Sequence, residues 1–245
     1  MRKSLLFMAL SGLVALLVLP GGFARAASAT QCTGLFAGTA TDIIVPAGGF
    51  CVLEGATVKH DVTVMQDAVF FADNTTIGHD VIATAPQQFA LGYGGVTPGP
   101  VTVGHDVVVR GSDAPNGQYA DVCDTKIGHD LKMTGLVVQE EVEVGDTEFC
   151  NLAPAPPVSV GHDATISGNT VGTAGFGFVD VGNNTFGHDL TVSGNTLQSG
   201  STGWIDISDN TVGHDATCSG NNPPPSKDGP DDGPNAVAHA DNGCG

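Results

Sequence analysis

Histidine and aspartate carry the first chemical signal, because they occur side by side at regular intervals. Ile77-Gly78-His79-Asp80-Val81 recurs as Val103-Gly104-His105-Asp106-Val107, Ile127-Gly128-His129-Asp130-Leu131 and Val160-Gly161-His162-Asp163-Ala164. Two further copies are Phe186-Gly187-His188-Asp189-Leu190 and Val212-Gly213-His214-Asp215-Ala216. Val58-Lys59-His60-Asp61-Val62 is a degenerate early copy, and His239, followed by Ala240, is a decayed last one. All 8 histidines thus occupy one repeat position. Imidazoles beside carboxylates could ligate Zn²⁺ or other transition metals, and carboxylates alone could hold Ca²⁺. A divalent cation, Ca²⁺ or Zn²⁺, is therefore the candidate cofactor, with these six His-Asp pairs from His79 to Asp215 as ligands. The plainer reading gives each Asp backbone N–H partners in a turn and each His a place in a stacked ladder. The Gly-Gly-x-Gly-x-Asp nonapeptide of calcium β-rolls is absent.

What positions these residues is a coil. The first seven histidines, from His60 to His214, lie 19, 26, 24, 33, 26 and 26 residues apart. Apolar residues flank the motif two before and two and four after the histidine, the alternation of a strand with one buried face. A second strand precedes it, at Tyr119-Ala120-Asp121-Val122, Phe178-Val179-Asp180-Val181 and Trp204-Ile205-Asp206-Ile207. Asn169, Asn184, Asn195 and Asn210 mark turns. The expected fold is all-β, a right-handed parallel β-helix of about eight coils. A Pro-rich insertion, Ala153-Pro154-Ala155-Pro156-Pro157, occupies the longest interval.

Stacking turns repeat positions into columns. Asp61 to Asp215 would form one acidic column, and Asp121, Glu148, Asp180 and Asp206 a second. Neighbouring like charges at ~4.8 Å repel by about 0.9 kcal/mol even in water, so something must offset them. Strict alternation would point the imidazoles inward and a bend at Gly-His would turn them outward; the sequence leaves both open. Buried imidazoles would lower thermal stability between pH 7 and 5. Thr165, Thr191 and Thr217 form a short hydroxyl file that fails at Ile82, Val108 and Lys132.

The cysteines fit the same period. Cys32 and Cys51 are 19 apart, Cys123 and Cys150 are 27 apart, and Cys218 and Cys244 are 26 apart. Each separation is about one coil, and coil spacing suits a disulfide. The expected pairs are Cys32–Cys51, Cys123–Cys150 and Cys218–Cys244, the outer two closing the ends. Aligning Asp121-Val122-Cys123 with Glu148-Phe149-Cys150 would place the middle pair one above the other.

Arg2 and Lys3, the apolar run Leu5 to Leu19, and small residues near Ala27-Ser28-Ala29 have the layout of a secretory leader. The expected organisation is 1–29 signal peptide, 30–221 β-helix, and 222–245 a Pro/Gly/Asp-rich loop and C-terminal cap. Lys and Arg number 8 against 26 Asp and Glu, for a net charge of −18. Arg2, Lys3 and Arg25 leave with the leader, which moves the charge from −18 to −21. Nucleic-acid binding needs clustered cations and is excluded. No membrane insertion is expected after leader cleavage.

The unit Val-Gly-His-Asp-x-Thr-Val-Ser-Gly-Asn-Thr resembles the repeats of secreted right-handed β-helix proteins of Gram-positive bacteria, which usually read Val-Gly-Gly-Asn-Leu-Thr-Val. Val45-Pro46-Ala47-Gly48-Gly49-Phe50-Cys51-Val52-Leu53 resembles their disulfide-closed first coil. The repeat is distantly similar to bactofilins, which are polymer-forming β-helices without a leader or disulfides. The resemblance covers roughly residues 30–245 and implies architecture rather than activity.

Catalytic signals are sparse. Lys59, Arg110, Lys126, Lys132 and Lys227 are not grouped as a lyase base would require. Asp180 with Asp206, the run Glu140-Glu141-Glu143 and the loop pair Asp231-Asp232 are the acid pairs available for glycoside hydrolysis. The expectation is a secreted or cell-surface, non-catalytic structural or surface-binding protein that presents His/Asp ladders. Cell-wall or extracellular polysaccharide, or a cationic surface, is the expected partner. A polysaccharide lyase or hydrolase on the same scaffold, or a metal-binding extracellular protein, is the alternative.

Overall fold

The computed structural model describes residues 29–93, 99–111, 117–145, 150, 157–226 and 233–244. The expected leader as far as residue 28, Glu148, most of the Pro-rich insertion, Lys227 and Asp231-Asp232 lie outside the described residues. Among the described residues there are strands and no helix. Every strand pairing is parallel.

Three long sheets run side by side along one axis, and the chain visits each in turn. The first sheet has ten strands, from Thr30–Gln31 to Ala240–Asn242. The second has eight, from Leu35–Phe36 to Thr202–Ser208. The third has nine, from Thr39–Ala40 to Ala236–Val237. In the first and second sheets strands stack in chain order, and the third stacks in the same sequence, so each turn of chain adds one rung to each sheet. That is a parallel β-helix, and parallel crossovers of this kind wind right-handed as a rule. Nine corners carry the His-Asp position or its first-coil counterpart, slightly more than the eight coils read from the repeat. The cap contributes rungs of its own, since Ala236–Val237 and Ala240–Asn242 extend the third and first sheets.

Alternation along each short strand sends one side chain in two toward the axis. The first sheet contributes the buried column Val62, Val81, Val107, Leu131, Ala164, Leu190 and Ala216. Phe70, Phe89, Ala120, Val142, Val179 and Ile205 come from the second. Val58, Ile77, Val103, Ile127, Val160, Phe186 and Val212 come from the third. Each face is buried only by the coil's other two sheets and its neighbours, so no coil would fold alone.

Two asparagine ladders fix the turns more firmly than isolated turn chemistry would. Asn169 Nδ2 donates to Asn195 Oδ1 at 3.0 Å, and Asn195 Nδ2 to Asn221 Oδ1 at 3.1 Å. Asn184, Asn210 and Asn235 repeat the pattern at a second corner. Each also bonds a backbone carbonyl of the coil before it, as Asn195 Nδ2 does to Ile166 O at 3.0 Å. The sequence suggests self-bonded turns; the structure instead bonds coil to coil, and Asn169, Asn184, Asn195 and Asn210 are buried.

The three disulfides join Cys32 to Cys51, Cys123 to Cys150, and Cys218 to Cys244. The outer two sit at the two ends of the first sheet, beside Thr30–Gln31 and Ala240–Asn242. The middle pair is reached differently from the alignment with Glu148-Phe149-Cys150. Asp121 and Val122 pair with Glu143 and Val144, so the rung beneath Cys123 is Gly145. Cys150 arrives from beyond that strand, because the long inter-histidine interval adds residues after the rung rather than within it.

Candidate functional site: an exposed histidine–aspartate row

The Gly-His-Asp corner joins the third sheet to the first. Its glycine is sterically required. A Cβ on Gly78, Gly104, Gly128, Gly161, Gly187 or Gly213 would lie 2.1–2.2 Å from the carbonyl oxygen of the corresponding corner residue in the preceding coil. Lys59 stands at this position in the first copy, where the corner above is one residue shorter, Thr41-Asp42 between paired Ala40 and Ile43. With glycine in place, each histidine N–H from His79 to His239 donates to the preceding histidine's carbonyl at 2.9–3.1 Å. The corners therefore stack in register.

The bend turns the imidazoles outward. Their side chains are 44–68% exposed. From His79 to His239 the seven rings stack with centroids 4.7–5.0 Å apart and planes within 7°.

Aspartates bind the rings together. Each Nδ1 from His79 to His239 lies 2.6–3.3 Å from Oδ1 of the preceding coil's aspartate. Where its own aspartate exists, from Asp80 to Asp215, that carboxylate lies 3.1–3.5 Å away. The same Oδ1 atoms accept the backbone N–H of the next coil's Asp, or of Ala240, at 3.0–3.3 Å. Two donors per carboxylate offset the column's self-repulsion. The ends obey the same logic. The first coil has Asp42 and no histidine, with His60 Nδ1 at 3.6 Å. The last has His239 and, at the aspartate position, Ala240, whose N–H still donates to Asp215 Oδ1.

Carboxylates accept, so Nδ1 carries the hydrogen, and in the neutral ring Nε2 keeps its lone pair on the opposite edge. The hydrogen bond that His79 donates to Asp61, with Asp80 and Asp106 nearby, raises the His79 pKa above its ordinary value. The backbone N–H of Asp215 and the His214 ring hold Asp189 low. His239 does the same for Asp215. For Asp130, burial works against ionisation, but Lys132 at 2.8 Å and the Asp163 N–H outweigh it and lower its pKa.

All six predicted His-Asp pairs thus fall in one row, and ligand atoms of sets such as His79, Asp80 and His105 lie within 4.8 Å of one another. The Nδ1 and carboxylate atoms are already mutually bonded; Nε2 is the open donor. A carboxylate on the other ring nitrogen is the usual support for a metal-bound imidazole. Parallel rings 4.7–5.0 Å apart are nonetheless too far apart for two Nε2 atoms to share one ion, since two Zn–N bonds span at most about 4.2 Å. The row is an array of single donors.

The second acidic column exists with one change of member. Asp121, Glu143, Asp180 and Asp206 stand in register, so Glu143 takes the place expected for Glu148. All four are buried, which makes Asp180 and Asp206 column neighbours under cover rather than an acid pair flanking an open cleft. Thr165, Thr191 and Thr217 do align, with Ile82, Val108 and Lys132 in the same column. A longer hydroxyl column was missed on the third sheet: Thr39, Thr57, Thr76, Thr102, Ser159, Thr185 and Thr211, broken only by Lys126. Its signal was available, three residues before His60, His79, His105, His162, His188 and His214. Compared with protein-family models, curated proteins and solved structures, the chain matches none of them.

Proposed function

We propose that this is an extracellular, non-catalytic surface-binding protein whose working element is the His/Asp row. One observation carries the reading: seven exposed imidazoles stack at a constant interval with Nδ1 engaged and Nε2 open. The sequence leader and three disulfides suit an oxidising compartment. The likeness of the repeat to secreted Gram-positive β-helix proteins agrees with that setting. A lone Nε2 binds weakly, but a rigid row engages a repetitive partner many times, and linked contacts multiply. The partner class is cell-wall or extracellular polysaccharide, with divalent cations at the Nε2 edge as bridges to its acidic groups. The acidic chain itself favours cations and disfavours anionic surfaces in their absence.

The test is co-sedimentation of the mature protein with insoluble acidic polysaccharide, with and without Zn²⁺. Wild type should be retained in a Zn²⁺-dependent way. The quadruple variant His105→Gln, His129→Gln, His162→Gln, His188→Gln should lose at least tenfold in retention. Release of soluble sugar by the wild type would instead establish an enzyme and sink the proposal.

A further inference from the structure

We infer that Asp121 and Glu143, on the outer face of the second sheet, hold one Ca²⁺ ion between them. This site is separate from the His/Asp row and does not rest on its function. The two residues are register partners on adjacent rungs, and both are fully buried. Among the described residues neither carboxylate oxygen of Asp121 has a hydrogen-bond partner. An ionised carboxylate buried without a partner is strongly unfavourable, and a cation is one of the few things that relieves it.

Geometry and chemistry both suit calcium. Rungs are spaced about 4.8 Å apart, which brings register-paired carboxylates within reach of one ion whose bonds to oxygen are about 2.3–2.6 Å long. Two carboxylates match the ion's charge, and the donors are hard oxygens. A further acid faces the site. Glu141 lies on the same strand and face as Glu143. Glu143 Oε1 lies 2.9 Å from Cys150 Sγ, and Tyr93 packs on the Cys123–Cys150 disulfide and stacks on Tyr119. Farther along the column Asp206 already accepts from Ser208 Oγ at 3.1 Å. The cysteines beside Glu143 are disulfide-bonded and offer no thiolate.

The experiment uses the full mature chain with disulfides intact, stripped with EDTA. Calcium titration should show one saturable site per chain. The melting temperature should rise by about 5–10 °C at a hundredfold excess over Kd. Asp121→Asn and Glu143→Gln should each abolish the rise. Without calcium, Asp121→Asn should melt no lower than wild type, because it removes an unpaired charge. Terbium binding to the wild type, displaced by calcium, gives the same answer without any variant. Two results overturn the inference. One is the absence of a calcium response in the wild type; a melting temperature that then falls from pH 6 to 9 would assign the pair a shared proton. The other is a calcium response that survives both substitutions.

Discussion

Each aspartate of the row accepts twice with one oxygen, and that double acceptance is what makes the row a structural unit. Asp106 Oδ1 receives His129 Nδ1 at 2.9 Å and the Asp130 N–H at 3.0 Å. Asp106→Ala should cost about 1–2 kcal/mol, read by urea denaturation, since the Asp130 N–H then loses its partner. Asp106→Asn keeps the oxygen and should cost less. The pH dependence follows from the directions of the shifts. His79 has a raised folded pKa, so its contribution is fully present below the unfolded value of about 6.5 and is lost as pH rises through the folded value. Asp189 and Asp215 have lowered pKa values, so theirs is present above about 3.9 and lost as pH falls through the folded values. Stability from the row should therefore peak between about pH 4 and 6.5. This is the reverse of the fall between pH 7 and 5 that buried imidazoles would give. The wild-type urea midpoint minus that of His79→Gln should shrink between pH 6 and 8, a difference that cancels buried acids such as Asp121.

At the scale of the element, the corner shows why one residue type decides the fold of three. Gly128 passes so close to the Gly104 carbonyl that a Cβ would sit 2.1 Å from its oxygen. The obstacle is backbone and cannot swing aside. Gly128→Ala should cost about 2–3 kcal/mol and open the His129 corner, whereas Gly34→Ala, with nothing within 4 Å of its Cβ, should stay within about 0.5 kcal/mol. Thermal melts of the two variants side by side test this. The repeat, the strand columns and the cysteine partners were legible in the sequence because each depends only on period and alternation. The direction of the imidazoles was not, since residues 77, 79 and 81 share a parity along the chain and only the bend at Gly78-His79 breaks it. Glu143 was missed for Glu148 because Glu141, Glu143 and Glu148 are all acidic. Only the rung pairing of Asp121 chooses among them. The asparagines were recognised as turn residues, but that their amides reach the next coil depends on stacking distances no local pattern contains.

Taken whole, the molecule is a rod whose interior is continuous and whose two ends are not. Among the described residues the first sheet ends on Thr30–Gln31 and Ala240–Asn242, each with an unpaired strand edge, and such edges invite strand addition by another copy. A disulfide sits at each end, Cys32–Cys51 at one and Cys218–Cys244 at the other. The last coil needs it most. His239 and Ala240 bond back to Asp215, and among the described residues no further rung stacks on them. Closing a 26-residue interval removes about 3.5 kcal/mol of unfolded-chain freedom. In a linear stack that stabilisation belongs to the terminal rungs, because each coil contacts only its neighbours. The double variant Cys218→Ser, Cys244→Ser should therefore fray rather than unfold. Hydrogen exchange should lose protection at Ala236–Val237 and Ala240–Asn242 while the strands from Val62–Val64 to Leu190–Ser193 keep theirs. Analytical ultracentrifugation should show association through the newly freed edge. Uniform loss of protection along the rod would mean that the coils unfold as one body, and that the end disulfide holds the whole stack rather than its last turn.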